Sequence, residues 1–106
     1  MSEYVSIKED VLKKLNENLS KIRERFDIET IGICGSVSRG EDTPDSDVDV
    51  LYSFTTGGLP LRRFFEFKKY LENLFGRDVD LIPVKWMAPE LRPYIEQDMI
   101  LCAASV

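Results

Sequence analysis

Between Lys8 and Phe26 the apolar side chains fall at Val11, Leu12, Leu15, Leu19, Ile22 and Phe26. That three-or-four spacing predicts one amphipathic helix with its lysines and arginines turned outward. The β-branched run ETIGIC (29–34) ends at Gly35 and predicts a buried strand. SVSRGE follows with room for one helical turn, and DTPDS carries turn chemistry around Pro44. DVDVLYSF (47–54) alternates and then becomes wholly apolar, which predicts a second strand entering a core, and TTGGLP predicts a loop. Apolar positions at 61, 64, 65, 71, 74 and 75 predict a second helix over 61–75, stopped by Gly76. DVDLIPV (78–84) repeats the strand signal. Pro89 and Pro93 then break the pattern, leaving a short helix around 92–98. The tail MILCAASV fits either a last edge strand or a contact surface.

This order predicts a small α/β domain of the α+β type, in two or three layers, with a small mixed sheet flanked by helices. Short connections make the first two strands neighbours, and the helix at 61–75 carries the chain back to the third. A length of 106 residues fits one domain spanning 1–106. It should bury roughly 60–70% of its unfolded surface.

Composition narrows the chemistry. Histidine is absent, which removes histidine general bases, Ser-His-Asp and Cys-His catalysis, and nearly every zinc site. What remains is carboxylates, hydroxyls, backbone amides and a hard metal ion. The net charge of −5 argues against nucleic-acid binding, which needs a basic surface. Cys34 and Cys102 form no CxxC pair and fit two buried thiols in a reducing compartment. MSEYVSIKED has early acidic charges and no apolar signal-peptide core, and no apolar run is long enough to span a membrane. The expected location is cytoplasmic.

The candidate chemistry lies in GSVSRGEDTPDSDVDV (35–50), where Asp45, Asp47 and Asp49 occupy alternate positions. In a strand, Asp47 and Asp49 share one face while Val48 and Val50 enter the core. Asp80 sits between apolar neighbours in the third strand, so three carboxylates converge if strands two and three are adjacent. Carboxylate oxygens suit Mg²⁺, which keeps bonds to water and substrate phosphates. An EF-hand loop fails, because Val50 and Thr56 stand where it needs Gly and Glu. Gly35-Ser36, at the junction of strand and helical turn, fits an anion site built of backbone amides and a hydroxyl.

Gly35-Ser36, Arg39-Gly40 and Ser46-Asp47-x-Asp49 together resemble the signature of the DNA polymerase β-like nucleotidyltransferase superfamily. More narrowly, the chain is similar to a minimal nucleotidyltransferase (MNT) domain, the kind encoded beside HEPN-domain partners. The resemblance covers roughly residues 8–85. It implies the nucleotidyltransferase fold and a nucleotide site in which Gly35 and Ser36 grip the triphosphate. It also implies that Asp47 and Asp49 ligate Mg²⁺, two ions in all, joined by Asp80, which helps to activate the acceptor hydroxyl. Arg39 either touches phosphates or braces its loop, and Ser46 orients the turn before the aspartates. The reaction implied is in-line attack on the α-phosphorus of a nucleoside triphosphate, with ATP the expected substrate.

Three functions follow. The first is AMP transfer to a hydroxyl of a protein partner, with an antitoxin-like role against a HEPN-type toxin. The second is a binding module that neutralises such a partner by contact alone, although that would have no use for three converging carboxylates. The third is a small-molecule nucleotidyltransferase, which usually carries a further helical domain. Base preference, acceptor and the choice between homo- and hetero-oligomer are left open.

Overall fold

A computed structural model describes residues 3–55 and 60–103. Residues 56–59 of the expected loop and 104–106 of the tail lie outside the described residues. In chain order the elements are α1 (Lys8–Glu17), α2 (Leu19–Phe26), β1 (Ile28–Cys34), α3 (Gly35–Arg39), β2 (Val48–Phe54), α4 (Leu61–Phe75), β3 (Val79–Pro83), a 3-10 turn (Val84–Trp86), α5 (Arg92–Asp98) and β4 (Ile100–Ala103).

The single helix expected over 8–26 is broken at Asn18. The Asn18 side chain donates to the Lys14 carbonyl at 2.9 Å, a local bond that competes with a regular helical turn. Both halves nonetheless bury one stripe, Val11 and Leu15 in α1 and Ile22 and Phe26 in α2. Phe26 meets Phe67 of α4 with ring centroids 5.2 Å apart. Helix α4 follows Pro60 and ends at Gly76, whose φ of 69° closes it with a left-handed residue.

Four strands form one mixed sheet in the order β3-β2-β1-β4. β1 runs antiparallel to β2 and to β4, and β2 runs parallel to β3. The parallel pair is joined through α4, as a crossover connection requires. Ile100–Ala103 of the tail thus form an edge strand. Val48, Val50, Ile31 and Ile33 point into the core with the helical stripes. Leu51, on the other face of β2, is also fully buried. The 3-10 turn and α5 pack against β2 and β1 respectively, and α5 also meets α3. Among the described residues no helix is long and apolar enough to cross a membrane.

Candidate active site

The register of the sheet places the acids. Asp49 stands opposite Cys34 of β1 on one side and opposite Asp80 of β3 on the other. β2 begins at Val48, one residue later than the sequence pattern suggested, so Asp47 ends the preceding loop. The Val48 amide donates to the Asp78 carbonyl at 2.9 Å and holds that loop end beside β3. Asp49 is half-buried, whereas Asp47 and Asp80 are exposed. Burial pushes the Asp49 carboxyl above the ordinary range; the charges of Asp80 and then Asp47 add to this, and Arg39 opposes it. Among the described residues, no three acidic or thiol side chains are gathered tightly enough to form a ready-made metal cage. The convergence is therefore one of charge and register, with the carboxylates still apart.

Gly35 abuts this cluster. It opens α3 with φ of 75°, a conformation that favours glycine, and a Cβ there would collide with Asp49 Oδ2. The missing side chain lets the turn of residues 35–39 lie directly against the Asp49 carboxylate. Ser38 is buried and donates to the Gly35 carbonyl at 2.8 Å, and the Ser36 carbonyl accepts the Glu41 amide at 2.9 Å. The Ser36 hydroxyl makes no hydrogen bond among the described residues.

Ser46 is occupied by its own turn, where its hydroxyl accepts the Thr43 amide at 2.8 Å. Arg39 is occupied too: Nη1 donates to Asp98 Oδ2 at 2.6 Å, and Nε lies 3.5 Å from Glu41. Burial pushes the Cys34 thiol up to about 11; Asp49 and Asp98 reinforce this, and Arg39 opposes it. Cys102 is only half-buried, not enclosed as expected, because it lies on the edge strand.

The sequence pattern did not reveal the residues that brace the acidic loop. Asp42 is buried and accepts from Tyr4 Oη at 2.5 Å, from the Ile7 amide at 3.1 Å and from the Ser6 hydroxyl. Burial acts to raise its carboxyl, but the Ser6, Tyr4 and Ile7 hydrogen bonds prevail and hold it below the ordinary range. Arg77 donates to the carbonyls of Thr43 at 3.0 Å and Ser46 at 3.1 Å, and to Tyr4 Oη at 2.8 Å. An N-terminal arm and an arginine from beyond α4 thereby fix the loop that presents Asp47. An open cleft of about 440 Å³ flanks it, lined in part by Asp45, Asp47, Glu72, Arg77 and Asp78.

The turn with its forced glycine lies against acidic residues of the sheet, and the chain belongs to the nucleotidyltransferase domain family, whose model matches residues 12–102. It is a nucleotidyltransferase. A Thermococcus cleftensis protein named protein adenylyltransferase MntA is 43% identical over 75 residues, covering 70% of this chain and 74% of that one. A solved structure described as a minimal nucleotidyltransferase is 32% identical, with a TM-score of 0.70, covering 86% of this chain and 92% of that one. The fold also matches, at 16% identity and a TM-score of 0.63, a chain from a structure described as a tri-AMPylated Shewanella oneidensis HEPN toxin in complex with MNT antitoxin. That match covers 89% of this chain and 73% of the other.

Proposed function

We propose that this chain transfers AMP from ATP to a hydroxyl of a protein partner, a HEPN-type toxin, and so acts as its antitoxin in the cytoplasm. The adenylyltransferase name of the Thermococcus relative and the AMPylated HEPN complex support the choice of nucleotide and partner. The observation that carries the reading is the contact of Gly35 with Asp49, which itself stands opposite Asp80. It sets the Gly35 turn against a carboxylate pair.

The donor set fits Mg²⁺. It is all oxygen, and Asp49 sits among like charges that Arg39 partly opposes. Asp47, Asp49 and Asp80 would hold the metal, two ions in number. When bound, the metal supplies neutralisation of phosphate charge during an in-line displacement. Loosely set carboxylates suit an ion that keeps its waters and arrives with its nucleotide.

Gly35 and Ser36 bind the triphosphate through the backbone of the turn and the Ser36 hydroxyl, and Arg39 reaches the same phosphates. Ser46 keeps the loop before Asp47 in shape. The acceptor oxygen forms a bond to the α-phosphorus, the bond to the β-phosphate oxygen breaks, and pyrophosphate leaves. Asp80 helps to draw off the hydroxyl proton.

Intact-mass measurement of the HEPN protein, incubated with this chain, Mg²⁺ and ATP, tests the reading. The expected gain is about 329 Da for each AMP added by α-phosphoryl chemistry. Asp47→Asn or Asp49→Asn should remove it while leaving the fold intact. A partner whose mass never changes with any nucleotide, although it still binds, would show neutralisation by contact alone.

A further inference from the structure

Arg39 belongs to the motif turn, yet the group that holds it comes from near the other end of the chain. Its Nη1 bonds Asp98, 59 residues away, at 2.6 Å. Asp98 is the last residue of α5, where the helix dipole is negative and disfavours an anion, and no basic residue in the last turn offsets it. An electrostatic cost thus accompanies the pairing, and an ion pair with an arginine this exposed contributes little to stability. Stability does not account for a carboxylate at this point.

Position does. α5 packs on both α3 and β1, so Asp98 is delivered on a framed helix end. Glu41, 3.5 Å from Nε, also draws on Arg39. Without Asp98 the guanidinium would keep only the longer pairing with Glu41 and lose its tether to α5. We propose that Asp98 is the positioning residue for Arg39, fixing the guanidinium beside the turn and presenting its remaining N–H groups to the nucleotide phosphates. The proposal rests on the proposed contact of Arg39 with those phosphates.

Calorimetric binding of Mg²⁺ with AMP-PNP tests it without an acceptor. Wild type, Arg39→Ala, Asp98→Asn, Asp98→Glu and the Arg39→Ala/Asp98→Asn double variant are compared, each with its melting temperature. Arg39→Ala and Asp98→Asn should each weaken Kd about five- to tenfold, as loss of one charge-assisted contact does. Asp98→Glu should stay within about twofold of wild type, because it keeps the carboxylate. The double variant should bind like Arg39→Ala alone. If Arg39→Ala weakens binding but Asp98→Asn does not, the positioning role fails while the Arg39 contact stands. The role fails equally if Asp98→Asn adds its full effect on top of Arg39→Ala. If Arg39→Ala leaves Kd unchanged, the phosphate contact itself is wrong and the proposal falls with it. Should Asp98→Asn melt far below wild type, Asp98→Glu decides: tenfold weaker binding in a folded Asp98→Glu protein overturns the role.

Discussion

At the scale of single residues, Gly35 and Asp49 bear the most. Gly35→Ala would put a methyl where Asp49 Oδ2 now lies and would force a left-handed φ on alanine. The backbone term costs about 1–2 kcal/mol, and the short carboxylate relieves the clash by swinging outward. The fold should therefore survive with a modestly lower melting temperature, while nucleotide binding is lost; a Gly35→Ala protein that binds Mg²⁺-ATP normally would contradict the contact. Asp49 also sets a pH dependence. Its folded pKa is raised, so the fold favours the protonated form, and its contribution to stability is lost as pH rises from the ordinary carboxylate value through the folded one. In EDTA at neutral pH, Asp49→Asn should therefore melt higher than wild type, and the gap should close as pH falls toward 4. A gap that widens on acidification would reverse the sign.

At the scale of elements, the acidic loop depends on parts remote in sequence. Asp42→Ala would leave the Tyr4 and Ser6 hydroxyls and the Ile7 amide without their acceptor. The expected loss is about 2 kcal/mol, by the loss of part-buried hydrogen bonds to a charged acceptor, seen as a lower denaturant midpoint; an unchanged midpoint would show the arm to be dispensable. The same elements show what a sequence pattern can carry. Helix α4 was legible to the residue, because Pro60 and Gly76 bracket an uninterrupted apolar stripe. The break at Asn18 was not, because the stripe continues across it from Leu15 to Ile22. Asp47, Asp49 and Asp80 stood out because acids are unusual in otherwise apolar strands. Asp42, Arg77 and Asp98 look like ordinary surface charges, and their partners lie 31 to 73 residues away. Only the folded chain brings those partners together.

For the whole molecule, a net charge of −5 is concentrated in part on one sheet face, where folding draws like charges together. A site of that kind is completed by a cation, and its stability should depend on one. A ligand that binds only the folded state stabilises by about 2.7 kcal/mol at a hundredfold excess over Kd, or about 10 °C in a domain of this size. The most direct test is a set of thermal melts of wild type and Asp49→Asn, in EDTA, in Mg²⁺ and in Mg²⁺ with ATP. Wild type should rise most with Mg²⁺-ATP, and less with Mg²⁺ alone because the ion gives up water reluctantly. Asp49→Asn should start higher in EDTA and respond little. If the two proteins melt alike under all three conditions, the acidic face does not hold a metal–nucleotide pair, and the account of transfer built on it is wrong.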